Sequence, residues 1–360
     1  MKTHSRKVIL GMSGGVDSSV AAAVLKQRGY EVIGVTLALL PPKCDSPRAD
    51  ACCGVQAVED ARAVCAQLDI PFYCINRADK FAVEIIDYFC AEYNCGRTPN
   101  PCVVCNHRIK FPELLKKADE VGAEYIATGH FARITASDGR YSLLQGVDRS
   151  KEQSYFLFGL NQSTLSRIIF PLGEMRKEEV RRLAERLELK VHNKPESQEI
   201  CFVPDNRYPE FLRQWAPQDI VPGDILDKQG RKIGCHKGIQ FYTIGQRRGA
   251  GVALGKPLYV IDIDAETNTI VMGDNEDLLK KRMRVGNLMW IEQITDQHQL
   301  KATVKVRYNH PEAPATIVLA KDNSAEIIFD KPERAITPGQ AAVFYRDEVV
   351  LGGGWIEKCG

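Results

Sequence analysis

Residues 11–19, GMSGGVDSS, bring together the groups that bind phosphate in proteins. They follow an apolar run, Val8–Leu10, and precede a helix-forming run, which predicts a strand, a tight turn and a helix N-terminus. In such a turn Gly14 and Gly15 can adopt positive φ angles, and the backbone N–H groups and the helix dipole face one point. Asp17 is unexpected beside an anion unless Mg²⁺ lies between its carboxylate and the phosphates.

This pattern, Ser-Gly-Gly-x-Asp-Ser, resembles the PP-loop of ATP pyrophosphatases. It is not a Walker loop, because no Gly-Lys-Ser/Thr sequence closes it. PP-loop enzymes cut ATP between the α- and β-phosphates and leave an adenylated substrate, so the resemblance implies ATP as a ligand. The alternative, a turn that only joins a strand to a helix, would not require six specified positions in a row.

Two later segments carry cysteines suited to sulfur chemistry. In residues 96–111, GRTPNPCVVCNHRIKF, two prolines disfavour regular helix before Cys102, so we expect the helix to begin near Asn106. Cys105 would then lie at a helix N-terminus among basic side chains, where a thiolate nucleophile is favoured. Cys102 and Cys105 could instead form half of a metal site. Cys201 ends a loop, which suits a mobile sulfur carrier, although its apolar neighbours are also typical of a buried cysteine.

Composition restricts the class of protein. The chain has 360 residues and a net charge of +2, which predicts two or three domains and any nucleic acid held by local basic patches. No apolar stretch is long enough for a signal peptide or a membrane span, so we expect a cytoplasmic protein with no membrane segment. The 12 cysteines should then be mostly buried thiols, Cys65, Cys74 and Cys90 among them.

The elements that would position these groups alternate between strand and helix. The predicted strands after the first are Tyr30–Leu40, Phe72–Asn76 and Tyr125–His130, the last of which runs into a turn, and the helices between them are Val55–Leu68 and Phe81–Tyr93. A hairpin around Asp138-Gly139 is predicted to follow, from Arg133 to Gln145. Alternation predicts an α/β fold with a parallel sheet and helices on both faces. Ligands of such sheets bind at the carboxyl ends of the strands, where residues 11–19, Gly129 and His130 would meet.

From about residue 205 the pattern changes to glycines and short alternating runs. We expect small β-rich structure there, including a basic turn at Tyr242–Gly249 that suits a phosphate backbone. From residue 283 short, evenly spaced strands predict a small barrel, a common scaffold for RNA binding. Arg307 and Tyr308, at the end of a strand predicted from Thr303, supply a cation and a stacking ring.

In this order and combination the motifs resemble the bacterial tRNA-specific 2-thiouridylases, a family of the PP-loop ATP pyrophosphatase superfamily. The motifs are GMSGGVDSS (11–19), GRTPNPCVVCNHRIKF (96–111), YIATGH (125–130), KEQSYFL (151–157), SQEICF (197–202), TIGQRRG (243–249), VRY (306–308) and TPGQAAVFY (337–345). The resemblance implies an adenine nucleotide α-hydrolase-like PP-loop catalytic domain at 1–204. A small central β-rich tRNA-binding domain at 205–282 and a C-terminal β-barrel at 283–360 would follow.

The resemblance also implies a role for each residue at a matching position. Cys105 would be the catalytic nucleophile and Cys201 would carry a persulfide. The residues implied to bind ATP are Gly11, Met12, Ser13, Gly14, Gly15, Val16, Asp17, Ser18, Leu37 and Gly129, with Leu37 replacing a frequent Met. The residues implied to contact tRNA are Asn100, Pro101, Cys102, His130, Lys151, Glu152, Gln153, Arg307, Tyr308 and Gln340.

The implied reaction is ATP-dependent 2-thiolation of the wobble uridine (U34) of tRNA. ATP, with Mg²⁺, would adenylate the C2 oxygen, and persulfide sulfur would replace it with release of pyrophosphate and AMP. The persulfide on Cys201 could attack C2 directly, or Cys105 could free hydrosulfide; both routes end in a Cys105–Cys201 disulfide. The implied partners are tRNA and a persulfide donor, either a cysteine desulfurase or a sulfur-relay protein.

The sequence departs from the family at one notable position, because many members have Asp where this chain has Cys102. Cys102, Cys105 and Cys201 could therefore supply three thiolates to an iron–sulfur cluster, as an alternative to the two-thiol route. Two other classes of protein stay open. A PP-loop enzyme with a small substrate, such as an amide-forming synthetase, would not need the β-rich final third or the cysteine pair. A non-catalytic RNA-binding protein would not need an intact loop.

Overall fold

The computed structural model describes residues 6–44, 54–196, 200–203, 205, 207–248, 257–294 and 298–357. The chain forms two compact units, of which the first comprises 1–85, 102–206 and 348–350 and the second 86–101, 207–347 and 351–360. Residues 197–199, from the motif before Cys201, and Gly249, from the basic turn, lie outside the described residues. No helix within the described part of the chain has both the length and the apolar character needed to cross a bilayer.

The first unit contains the alternating elements that the sequence predicts. Its strands are β1 (Lys7–Gly11), β2 (Glu31–Ala38), β3 (Phe72–Asn76), β4 (Tyr125–Thr128), β5 (Ala132–Ser137), β6 (Arg140–Gln145) and β7 (Ile168–Ile169). The helices that lie wholly or partly in it are α1 (Val16–Gln27), α2 (Val55–Gln67), α3 (Ala78–Phe81), α5 (Pro101–Cys105), α6 (Phe111–Glu120), α7 (Gln162–Leu165) and α8 (Lys177–Arg186). The helix α4 (Tyr88–Asn94) belongs to the second unit. The segments Ala82–Asp87 and Asn106–Lys110 are π-helical.

The parallel sheet has the strand order β3-β2-β1-β4-β7, which confirms the predicted α/β fold. β1 pairs in parallel with β2 on one side and with β4 on the other, so the strand order reverses beside it. Val8, Ile9 and Leu10 of β1 are fully buried, because this central strand has a neighbour on each side and helices packed against it. The chain that leaves β1 therefore emerges at the switch point of the sheet, the usual ligand position in this class of fold.

One helix boundary differs from the prediction. The helical segment that contains Cys102 and Cys105 begins at Pro101 rather than near Asn106 and continues through the π segment into α6. Proline is well tolerated at the first helical position, since its missing N–H has no helical partner there. Cys102 therefore lies in the first turn, and Cys105 lies one turn further along.

The hairpin predicted around Asp138 and Gly139 is present as β5 and β6. Both turn residues have positive φ angles, 52° and 75°, as a two-residue hairpin turn requires. Leu144 of β6 also pairs with Val349.

The second unit contains two further β structures. Residues 207–273 contribute α9 (Tyr208–Trp215), β8 (Gly223–Leu226), β9 (Lys232–His236), β10 (Tyr259–Asp264) and β11 (Thr269–Gly273), and the sheet order is β10-β11-β8-β9. The remaining strands are β12 (Leu279–Trp290), β13 (Gln299–Lys305), β14 (Ala313–Leu319), β15 (Ala325–Arg334), β16 (Ala341–Arg346) and β17 (Val349–Ile356).

Six of these strands close into the predicted barrel. Their order is β12-β15-β14-β13-β16-β17, and pairing of β12 with β17 completes the ring. Ile317, Phe329 and Phe344 are fully buried in its core. Arg307 and Tyr308 do not extend β13 as predicted, because that strand ends at Lys305 and they lie in the turn that follows it.

Candidate active site

The loop between β1 and α1 packs closely against its neighbours β2 and α2. Met12 N–H donates to the Val35 carbonyl at 2.8 Å, and the Thr36 hydroxyl donates to the Met12 carbonyl at 2.8 Å. Gly14 has a φ of +68°, and a Cβ at that position would lie 2.2 Å from the Ala57 carbonyl oxygen. Gly15 has a φ of −99°, so only the first of these two glycines adopts the predicted positive φ.

Serine hydroxyls close the turn of this loop. The Ser13 N–H donates to Ser18 Oγ at 3.2 Å, and the two serine hydroxyls are also 3.2 Å apart. Ser19, the last residue of the motif, is fully buried and donates to the Gly15 carbonyl at 2.8 Å. The backbone N–H groups of the loop and the Ser13 and Ser18 hydroxyls form a group of donors of the kind that suits an anion.

Asp17 of the loop is paired with a lysine that sequence reasoning missed. The Lys177 ammonium donates to both carboxylate oxygens of Asp17, at 2.6 and 2.8 Å. Burial raises the pKa of Asp17, and the charge and hydrogen bond of Lys177 oppose that shift. Both oxygens that a Mg²⁺ ion would use are engaged by an ammonium group, so the residues present do not form a ready magnesium site at Asp17.

Further charged side chains extend this pair into a network. Glu196 lies 2.6 Å from Lys151, 3.4 Å from Lys177 and 3.5 Å from Arg181. Lys194 donates to the Gly14 carbonyl at 3.2 Å and to Asp60 at 2.7 Å. Among the charged side chains that extend the pair, Lys151 alone was a predicted site residue. The partners are far apart in sequence, and no local spacing could have identified them.

Gly129 and His130 follow β4 and reach the same edge of the sheet, as predicted. A Cβ on Gly129 would lie 2.9 Å from the Ser18 backbone nitrogen, so the glycine lets this strand end pack against the first turn of α1. His130 Nδ1 lies 2.7 Å from the Thr128 hydroxyl, and its ring stacks on Phe111 with centroids 6.0 Å apart. Burial, together with the charge of Lys110, holds the pKa of His130 well below its usual value, so the imidazole is neutral.

The other predicted nucleotide contact, Leu37, lies in β2 and is buried. Its register partner in β3 is Ile75, which places Leu37 near the carboxyl end of its strand. Val16 is buried in the first turn of α1. The structure thus brings the predicted ATP-binding residues to one edge of the sheet.

Of the three predicted functional cysteines, Cys102 is exposed and Cys105 and Cys201 are half-buried. The residue after Cys105, Asn106, is buried and donates to the Phe156 carbonyl at 3.1 Å. Beyond Cys201, Phe202 is buried against Phe81, with ring centroids 5.6 Å apart. No group of three Cys, His, Asp or Glu side chains in the described ranges is arranged to hold a metal ion, so these cysteines do not form a ready cluster site.

Lys151, Glu152 and Gln153, which were predicted to contact tRNA, lie in the first unit. The Gln153 side-chain oxygen accepts the Phe131 N–H at 3.0 Å, while the Gln153 N–H donates to the Phe131 carbonyl at 2.9 Å. Glu152 is buried and accepts the Ser154 N–H. Gln153 thus braces the chain directly after His130, Glu152 holds the chain at Ser154, and Lys151 pairs with Glu196.

The remaining predicted tRNA contacts belong to the second unit. Gln340 donates to the carbonyls of Thr98 and Pro99 at 3.0 and 3.2 Å, directly before Asn100 and Pro101. The Lys305 ammonium lies over the Tyr308 ring at 5.5 Å. Arg247 and Arg248 are exposed in the predicted basic turn, where Gly245 has a φ of +88°.

Comparison with known families and proteins yields matches along the whole chain. A family model described as tRNA methyl transferase HUP domain matches residues 6–205. The corresponding PRC-barrel domain matches 209–274, and an aminomethyltransferase β-barrel domain matches 280–356.

Relatives called tRNA-specific 2-thiouridylase MnmA align with this chain over nearly its full length. The protein of Carboxydothermus hydrogenoformans is 48% identical over 98% of both chains. That of Lachnoclostridium phytofermentans is 47% identical over 98% of this chain and 100% of its own. That of Clostridioides difficile is 47% identical over 98% and 99%. A solved 4-thiouridine synthetase–RNA complex with bound ATP is 22% identical over 59% of this chain and 51% of that one, and its TM-score of 0.39 is too low to bear on function.

Proposed function

Because the chain belongs to the tRNA-specific 2-thiouridylase family, we propose that it replaces the C2 oxygen of the tRNA wobble uridine, U34, with sulfur at the expense of ATP. The observation that carries the proposal is the intact loop of residues 11–18, here named the phosphate loop, which lies at the switch point of the sheet and has Gly14 at a φ of +68°. A loop retained only to join a strand to a helix would not need that conformation. A tRNA substrate implies a cytosolic reaction.

The first step is adenylation of the uridine. The C2 oxygen attacks the α-phosphorus of ATP, the bond to the β-phosphate breaks, and pyrophosphate leaves. The N–H groups of residues 11–18 and the Ser13 and Ser18 hydroxyls would hold the phosphates while charge develops on them. We assign no protein ligand to the Mg²⁺ that would accompany the nucleotide, since both oxygens of Asp17 are engaged by Lys177.

The second step is sulfur transfer through two thiols. The terminal sulfur of a Cys201 persulfide attacks C2, the C2–O bond breaks, and AMP leaves with the former uridine oxygen. The Cys105 thiolate attacks Sγ of Cys201, and the electron pair of the broken S–S bond stays on the new thiocarbonyl sulfur. In the alternative order Cys105 attacks first and releases hydrosulfide, which then attacks C2.

Both orders of sulfur transfer move the same number of electrons between the same atoms. The sulfane sulfur gains two electrons and Cys105 and Cys201 lose them, so each turnover leaves a disulfide that a dithiol reductant must reopen. Each new cycle also requires a persulfide donor, either a cysteine desulfurase or a sulfur-relay protein. The two-thiol route needs no cluster at Cys102, which instead would lie with Asn100 and Pro101 against the target base.

The same proposal assigns different functions to different regions of the chain. Residues 1–204 would carry catalysis, and residues 205–282 and 283–360 would bind tRNA. Lys151, Arg307 and the exposed arginines of the turn Tyr242–Gly249 are the cations suited to phosphate contacts, and Tyr308 offers a stacking surface.

The proposal is tested by incubating the enzyme with ATP, Mg²⁺, a persulfide-loaded donor, a dithiol and unmodified tRNA. We expect 2-thiouridine in the digested tRNA by mass spectrometry. Cys105→Ser and Cys201→Ser should each abolish it, while a burst of pyrophosphate survives in both because adenylation needs only the loop. Full thiolation by Cys201→Ser would overturn the sulfur route.

The other classes of function give different results in the same assay. A PP-loop enzyme with a small substrate would exchange pyrophosphate into ATP without RNA. A non-catalytic RNA-binding protein would bind tRNA but release neither pyrophosphate nor AMP.

A further inference from the structure

We propose that Lys194 and Glu196 are positioning residues that fix the segment carrying Cys201 against the phosphate loop. The inference rests on the proposed role of Cys201 as persulfide carrier. It adds two residues to which the resemblance assigns no role, and it states what they would do in the reaction.

The first fixed point is Lys194. Its ammonium donates to the Gly14 carbonyl at 3.2 Å and forms an ion pair with Asp60 at 2.7 Å. The Lys194 side chain is only 15% exposed, so this pair is better shielded from solvent than an ordinary surface salt bridge. A main-chain atom of the phosphate loop is therefore tied directly to the segment that leads to Cys201.

The second fixed point is Glu196, two residues further along the chain. Its carboxylate lies 3.4 Å from Lys177, and Lys177 in turn donates to both oxygens of Asp17. Glu196 also pairs with Lys151 at 2.6 Å. The segment is thus linked to a second residue of the phosphate loop through one intervening lysine, and to the segment that includes Gln153.

A third contact holds the chain on the other side of Cys201. Phe202 is 1% exposed and meets Phe81 edge to face at 5.6 Å. Along the chain, Cys201 therefore follows a polar anchor, Lys194 and Glu196, and precedes an apolar anchor, Phe202 against α3. The ionic groups would act by setting where the segment lies.

The two chemical steps should respond differently when the polar anchor is removed. Adenylation depends on the loop, which keeps its own hydrogen bonds: Ser13 N–H to Ser18, Met12 N–H to the Val35 carbonyl, and the Thr36 hydroxyl to the Met12 carbonyl. Sulfur transfer needs Cys201 within bonding distance of two other atoms, and a misplacement of about 1 Å can cost about 100-fold in rate. Loss of Lys194 or Glu196 should therefore slow sulfur transfer much more than adenylation.

The test compares Lys194→Met and Glu196→Gln with wild type in single turnover, using full-length enzyme loaded with persulfide. We expect the rate of 2-thiouridine formation to fall about tenfold or more. The rate of the pyrophosphate burst should change less than about threefold. The Cys105–Cys201 disulfide, followed by mass spectrometry of alkylated enzyme, should form at the slowed rate of thiolation.

Two further variants separate positioning from general stability. Lys194→Arg keeps the charge and the donors, so it should restore most of the thiolation lost in Lys194→Met. Glu120→Gln removes an exposed ion pair with Lys117 at 3.2 Å in the same unit and should behave as wild type. Thermal unfolding of each variant checks that it is folded at the assay temperature.

The outcomes are distinct. Wild type that makes no 2-thiouridine overturns the proposed function. If wild type is active and the Lys194→Met and Glu196→Gln enzymes thiolate at its rate, the positioning role alone is wrong. The same holds if both variants lose the pyrophosphate burst and thiolation in equal proportion, or if Lys194→Arg fails to recover activity.

Discussion

Gly14 and Gly15 are neighbours in the phosphate loop, yet the structure constrains them differently. Gly14 combines a φ of +68° with a space in which a Cβ would lie 2.2 Å from a backbone oxygen of α2. Gly15 has a φ of −99°, and the nearest atom to its Cβ position is Ser13 Oγ at 3.5 Å. Only the first position demands glycine.

We expect Gly14→Ala to lower the free energy of unfolding by about 2 kcal/mol or more, since a positive φ alone costs alanine about 1 kcal/mol and the clash adds to it. It should also abolish the pyrophosphate burst, because the loop must shift. Gly15→Ala is the matched control and should keep both stability and adenylation. Urea unfolding and a single-turnover pyrophosphate assay measure the two effects, and equal behaviour of the variants would contradict this account.

The cysteines show how far residue type alone predicts environment. Cys65 and Cys90 are buried, as expected, and burial raises the pKa of Cys65 to about 11. Cys74 was predicted to be buried but is exposed. Its strand β3 lies at the edge of the sheet, where only one side is covered by a neighbouring strand, and apolar neighbours in sequence do not reveal strand order.

At the scale of elements, most strands and helices of the first unit follow from local patterns, whereas the charged network does not. The alternation of apolar runs predicted β1 to β4 and the helices between them, and Asp138-Gly139 predicted the hairpin. The contact of Asp17 with Lys177 joins residues 160 positions apart. A pairing of that kind depends on how helices pack, which one sequence does not show, so Lys177, Lys194, Glu196 and Asp60 were missed.

The helix that carries Cys102 and Cys105 shows a second limit of predicting structure from neighbouring residues in the sequence. The two prolines disfavour helix before Cys102, yet Pro101 opens the helix, and the π segment after Cys105 has no signature in residue type. π segments are rare and occur often at functional sites. This one begins at the residue that follows the proposed nucleophile.

Gly129 joins two elements, since it lets the end of β4 approach the start of α1. A Cβ there would meet the Ser18 backbone nitrogen at 2.9 Å and the Asp17 carbonyl carbon at 3.0 Å. We expect Gly129→Ala to displace the first turn of α1 and to raise KM for ATP about tenfold, because N–H groups proposed to bind phosphate lie in that turn.

The control for that variant is Gly122→Ala. Gly122 also has a positive φ, +64°, but no atom lies within 4 Å of its Cβ position. It should lose about 1 kcal/mol of stability without a change in KM for ATP. Steady-state kinetics with saturating tRNA measures the KM for ATP of both variants. An unchanged KM in Gly129→Ala would show that this contact does not determine the position of the loop.

At the scale of the whole molecule, the compact units do not follow the order of the chain. Residues 86–101 belong to the second unit, where Tyr93 stacks on Tyr208 at 4.9 Å and Phe89 meets Phe211 at 6.2 Å. The change of residue pattern near residue 205 marks where β-rich sequence begins. It does not show which earlier residues pack with that sequence, because the pattern reports local composition and not long-range contact.

Gln340 shows how this long-range packing bears on the proposed site. The resemblance implies that Gln340 contacts tRNA, whereas the structure has its amide donating to the carbonyls of Thr98 and Pro99 at 3.0 and 3.2 Å. These carbonyls directly precede Asn100, which is proposed to meet the target base. Within the second unit, Gln340 therefore braces the approach to that residue.

We expect Gln340→Ala to lower the free energy of unfolding by about 1–2 kcal/mol, as the loss of two partly buried hydrogen bonds would. Thiolation should fall through misplacement of Asn100 while binding of tRNA changes little. Gln340→Glu should be less stable than Gln340→Ala, since it sets a carboxylate against two carbonyl oxygens. Thermal unfolding, a tRNA-binding titration and the 2-thiouridine assay distinguish the two roles. Wild-type stability of Gln340→Ala with weakened tRNA binding would favour direct contact with the RNA over the brace.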